Sequence, residues 1–210
     1  MTAEQLQHKE SVEKAIAACG YPIRCTFTEE EESKITMKGM ERNAGKTFKG
    51  KDETHIIGIG GEYVIQKLLG GTLDEECHGK HGDGNSPDNI LLNGTRVYCK
   101  TLIGEHRQCF LPVKCLLTVE NPKKDIVIIT RYDDSNGVKR YLLGYQYIAA
   151  FIEKCKIENY HGKPAFTLFW DQFMNIRPLM DLLKVSDAYR ESDKSPTMVF
   201  DETANTFIHM

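Results

Sequence analysis

The stretch PDNILLNGTRVYCK, residues 87 to 100, constrains the fold of this chain more than any other. Two short apolar segments flank Asn93-Gly94, the strongest local signal for a β-hairpin. An aspartate stands at one end of the hairpin and a lysine at the other. A charge buried without a partner costs several kcal/mol. The two ends therefore either reach solvent or form the walls of a site. Register separates these cases, because side chains alternate across a strand. A two-residue turn sets Asp88 opposite Cys99, so that it points away from the face bearing Tyr98 and Lys100. A three-residue loop, Leu92-Asn93-Gly94, with Gly94 in the left-handed conformation of a bulge, sets Asp88 opposite Tyr98. Lys100 then follows two residues along on the same face. Only the second register gathers Asp88 and Lys100, and it is the register expected.

The rest of the chain surrounds this hairpin with alternating elements. DIVIITRYD (125 to 133) reads as a strand buried on both faces, and KRYLLGY (139 to 145) as its partner across the turn DDSNG. CFLPVKCLLTV (109 to 119) reads as a strand or a strand and turn. QYIAAFIEKC (146 to 155) has helical spacing, PAFTLFW (164 to 170) is a last strand, and IRPLMDLL (176 to 183) a closing helix. Upstream, residues 2 to 18 carry a partial helical stripe, and residues 28 to 53 read as surface loop with a short helix at best. The acidic run EEEE at 29 to 32 reads as a solvated face. From Glu62 onward, Val64, Ile65, Leu68 and Leu69 fall at helical spacing, and Gly70-Gly71 closes that helix. The order predicts an α/β fold, a mixed central sheet flanked by helices.

Composition narrows the function. A chain of 210 residues with net charge −3 has no global basic field of the histone type, although a local basic cleft remains open. Seven scattered cysteines without a Cys-x-x-Cys predict reduced thiols and a cytoplasmic location rather than a zinc ribbon or disulfide framework. The first residues do not form a signal peptide, and no apolar run approaches the ~20 residues of a membrane helix.

Several of these pieces, in this order, resemble the PD-(D/E)XK nuclease superfamily. GIGGEYVIQKLLG is similar to its leading helix with a glutamate near the start, and PDNILLNG followed by TRVYCKT to its catalytic hairpin. DIVIITRYDDSNGVKRYLLGYQYIAAFIEK is similar to its following strands and helix, and NIRPLMDLL to its closing segment. The resemblance covers residues 58 to 183 and implies a restriction-endonuclease-like core over 58–184, an N-terminal accessory region over 1–57 and a C-terminal arm or tail over 185–210. It further implies hydrolysis of phosphodiester bonds, in DNA, with Mg²⁺ or Mn²⁺. Asp88, Glu62 and the backbone carbonyl of Cys99 would hold the metal, and Lys100 would position or polarise the attacking water. The acid expected two residues before the lysine is replaced by Tyr98, a neutral phenol and a poor Mg²⁺ ligand. Glu62, Asp83 or Glu105 could supply that carboxylate from elsewhere, or Asp88 and Glu62 could hold one weaker metal. The other alternative is a silent nuclease-fold protein that binds nucleic acid or serves as an assembly subunit.

Each residue also has a plainer reading: Asp88 as a turn residue, Glu62 as a first-turn glutamate answering the helix dipole. CHGKHGDG at 77 to 84 reads as a loop rather than a zinc site, since no second ligand pair follows. Lys80, Arg96 and Arg107 around the hairpin, and Arg42, Lys46, Lys49 and Lys51 before the helix, are candidate phosphate contacts, or else balance EEEE on the surface. GIGGE lacks the spacing of a phosphate loop, and no Gly-x-Ser-x-Gly occurs. A homodimer would let two single-cut sites serve both strands of a duplex.

Overall fold

Thr28 opens the first described helix with a reciprocal cap. Its backbone N–H donates to Glu31 Oε2 at 2.7 Å, and the Glu31 N–H donates to Thr28 Oγ1 at 3.2 Å. Four glutamates in the first turn then answer the helix dipole. The result is α1, Glu29–Ala44, where the sequence predicted surface loop with a short helix at best. The acidic run is also less solvated than expected. Lys67 bonds Glu31 at 2.7 and 2.8 Å, and the buried Arg140 bonds Glu32 at 3.0 and 3.3 Å.

The computed structural model describes residues 23–44, 51–73, 87–103, 106–113, 116, 119–134 and 137–183, with the backbone of 198–201 and 206–209. The helix expected over 2–18 lies outside these residues. β1 (Ile23–Cys25) and α1 lead into α2 (Asp52–Leu69), which starts ten residues before the stretch whose spacing announced it. The boundary expected at 57/58 falls inside α2. Three glycines (58, 60 and 61) hide this helix in the sequence, because glycine weakens a helix by about 1 kcal/mol against alanine. Two of them have a packing reason. A Cβ on Gly60 would collide with the Arg140 guanidinium, and one on Gly61 with the hydroxyls of Thr101 and Thr130. The helix therefore lies directly on the sheet, and its C-terminus closes at Gly70, whose N–H donates to the Gln66 carbonyl at 3.0 Å.

The sheet runs β1-β7-β6-β4-β3-β2, from β2 (Thr72–Leu73), β3 (Asn89–Ile90), β4 (Arg96–Ile103), β6 (Ile126–Asp133) and β7 (Lys139–Tyr147), with β10 (Met174–Asn175) also on β7. β4 and β6 are parallel and the other pairs antiparallel, so the sheet is mixed as predicted. Alternation along the strands divides two cores. Ile126, Ile128, Val97 and Cys99 pack with Val64, Ile65 and Leu69 of α2 and with Leu179 and Leu183 of a closing helix, α4, over 177–183. Val127, Ile129, Tyr98 and Leu102 face the other way. There they meet α3 (Ile148–Lys154) and a second sheet ordered β5 (Gln108–Pro112), β9 (Lys163–Phe169), β8 (Lys156–Tyr160). Burial of each such side chain contributes about 1.5–3 kcal/mol. β8 was missed in the sequence because its residues are mostly exposed. Its turn is legible in retrospect: His161 and Gly162 both have positive φ, 51° and 80°, as two-residue hairpin turns require. β11 (Met198–Asp201) and β12 (Thr206–His209) pair with each other at the C-terminal end.

Candidate functional site

The hairpin adopts the bulged register. Asn89 pairs with Val97 and Ile90 with Arg96, which carries Asp88 level with Tyr98. Gly94 has φ 76°, its N–H donates to the Leu91 carbonyl at 2.8 Å, and the Thr95 N–H bonds the Asn93 side chain at 3.0 Å. Backbone pairing ends with the Asp88 N–H, which donates to the Val97 carbonyl at 2.8 Å, and a side chain then takes over. The Cys99 N–H donates to Asp88 Oδ2 at 2.6 Å. In a strand the N–H and C=O of one residue point to the same side, so the Cys99 carbonyl also faces Asp88.

Glu62 reaches the same place from α2. It sits in the middle of the helix rather than in the first turn, so the dipole reading does not apply. Only 3 % exposed, it accepts from Arg42 Nη1 at 2.6 Å, while Asn89 donates to its backbone carbonyl at 3.3 Å. Burial, and then the charge of Asp88, push its carboxyl up from 4.5 to about 7, against the pull of Arg42 and Lys100. Arg42 Nη2 lies 3.8 Å from Asp88 Oδ1, so one guanidinium spans both carboxylates. The sequence offered Arg42 only as a phosphate contact. Its pairing joins residues twenty positions apart on two helices, and no local pattern marks that.

Lys100 stands on the Tyr98 and Leu102 side of β4 and makes no ion pair or hydrogen bond with Asp88 among the described residues. Its charge acts on both sides of the strand. It lowers the pKa of Glu62, and it opposes the burial that pushes the Cys109 thiol up to about 12. It also lines an open cleft of about 360 Å³ between the end of β4 and the second sheet. Tyr98 packs in the core opposite Glu62, with Val127 and Ile129. On the α2 side, Thr101 and Thr130 share a hydrogen bond of 3.0 Å next to the buried Cys99, whose thiol is driven well up by burial and by Asp88 and Glu62.

Of the other candidates, Asp83, Glu105 and Lys80 lie outside the described residues. Arg96 pairs with Glu120 at 3.2 Å, and Arg107 is exposed. Cys25, Cys99, Cys109 and Cys155 are free thiols. Among the described residues no group of three His, Cys, Asp or Glu side chains converges, and no helix is long and apolar enough to cross a membrane. Two carboxylates and a carbonyl nevertheless suit a hard cation, which takes one or two carboxylates and completes its shell with water. Besides burial, the Asp88 charge raises the Glu62 carboxyl even with Arg42 beside it, so negative charge is concentrated at the pair. The donors therefore fit Mg²⁺ or Mn²⁺. No family model matches the chain, and no curated protein matches its sequence.

Proposed function

We propose that this chain is a metal-dependent nuclease that hydrolyses phosphodiester bonds in DNA. One observation carries the reading: Asp88 holds the Cys99 N–H, Arg42 spans Asp88 and the buried Glu62, and Lys100 follows Cys99 directly on β4. Asp88, Glu62 and the Cys99 carbonyl would hold Mg²⁺ or Mn²⁺, which when bound would neutralise phosphate charge and lower the pKa of a water. Lys100 donates to the attacking water or to a phosphate oxygen, stabilising the charge that grows as water adds and the leaving oxygen departs. Asp88 uses one oxygen to fix itself on the Cys99 N–H, which orients the other toward Arg42 and Glu62.

The second reading is a catalytically silent nuclease-fold subunit that binds nucleic acid or a partner. It is favoured by Arg42, a built-in cation spanning the two carboxylates, and by Tyr98 in place of an acid. Nicking of supercoiled plasmid in Mg²⁺ or Mn²⁺ separates the two. The nuclease nicks, and Asp88→Asn and Lys100→Ala each lose about 10²-fold or more, the scale of removing one electrostatic group. Wild-type protein that leaves the plasmid intact in both metals leaves only the silent reading.

A further inference from the structure

The cleft beside Lys100 has a lining that the hydrolysis reading does not use. Lys100, His106 and Gln108 supply polar groups, and Phe110 and Tyr160 form one wall. Among the described residues no acid lines it, although the chain as a whole carries net charge −3. Phe110 and Tyr160 stack on each other with ring centroids 4.4 Å apart and 20° between planes. Tyr160 is 46 % exposed, held at the end of β8 by the tight His161-Gly162 turn, so the pair is pinned by backbone rather than by burial. His106 is fixed in turn, because the buried Arg131 donates to its carbonyl at 2.9 Å.

An aromatic platform, a lysine without an ion pair among the described residues, and amide and imidazole groups at one rim are the parts that hold an unpaired nucleotide. The base stacks, the phosphate meets the cation, and the base edge finds hydrogen-bonding groups. About 360 Å³ is within the range of small-ligand pockets and takes one nucleotide rather than a base pair. Lys100 follows directly on Cys99, whose N–H holds Asp88, so a strand laid in the cleft runs beside the carboxylate pair. We infer that the cleft binds a nucleotide of single-stranded nucleic acid, seated on Tyr160 and Phe110 with its phosphate at Lys100. This rests on the nuclease reading for its meaning but not for its test.

The test is fluorescence anisotropy in EDTA, with a labelled ten-nucleotide oligothymidylate and a duplex of the same length. The single strand is expected to bind more tightly than the duplex. Tyr160→Ala should weaken it about tenfold or more, as loss of one stacking surface does. Tyr160→Phe should bind as wild type, and an unchanged thermal midpoint for Tyr160→Ala excludes a folding effect. Equal affinity of Tyr160→Ala and wild type for the single strand, or a preference for duplex, overturns the inference. Selective single-strand binding lost in Tyr160→Ala, without plasmid nicking, upholds the cleft while the hydrolysis reading falls.

Discussion

Replacing Glu62 by glutamine keeps the shape of the side chain and an acceptor for Arg42 but removes the charge. In the folded protein this carboxyl is raised from 4.5 to about 7, chiefly by burial and next by Asp88. Such a group is bound to its proton more tightly in the native than in the unfolded chain. Its contribution to stability is full below pH 4.5 and is lost as the pH rises through its folded value. At 1.36 kcal/mol per tenfold change in proton affinity, that loss is roughly 3 kcal/mol. The assay is denaturant unfolding of wild type and Glu62→Gln in metal-free buffer from below pH 4.5 to above pH 7. Titrations shared by the two proteins cancel in the difference. The wild type should lose about 3 kcal/mol relative to the variant across this window. A difference that does not change with pH, or one that grows in favour of the wild type at high pH, would show that the carboxylate is not held against its own charge.

Arg42→Met tests the other half of the pair. Removing one partner of a buried ion pair costs about 3–5 kcal/mol, and here the loss should be largest at alkaline pH, where Glu62 is charged, and smaller in acid, as read by the same unfolding titration. Two glycines of α2 should respond with opposite signs. Gly58 has open space around its missing Cβ, so Gly58→Ala should raise stability by about 0.5–1 kcal/mol. Gly61→Ala drives a methyl into the Thr101 and Thr130 hydroxyls and should lower it by about 1–3 kcal/mol, more than the helix preference returns. Thermal midpoints of the two variants, compared side by side, check both.

Much of the frame was legible where one physical signal dominates. DIVIITRYD reads as a central strand because both of its faces are buried, and the Asn93-Gly94 loop fixes the hairpin register that brings Asp88 level with Tyr98. α1 was hidden by its own charges. Only Ile35 among its apolar residues is buried, and the reliable signal was the Thr28-x-x-Glu31 cap rather than a stripe. The start of α2 was hidden by glycines whose purpose is closeness to the sheet. The candidate residues Glu62, Asp88 and Lys100 were named from order and spacing, but their setting was not. Arg42 between the carboxylates and the tyrosine-walled cleft beside Lys100 both join segments distant in sequence. Such contacts are properties of packing, which a linear pattern does not carry.

Calorimetric titration of Mn²⁺ into wild type, Asp88→Asn and Arg42→Met puts the central claim to its most direct test. A metal held by Glu62, Asp88 and the Cys99 carbonyl predicts binding to the wild type, loss of binding in Asp88→Asn, and tighter binding once the competing guanidinium of Arg42 is gone. Absence of binding to the wild type and to Arg42→Met at millimolar Mn²⁺, or binding that Asp88→Asn leaves unchanged, would contradict it.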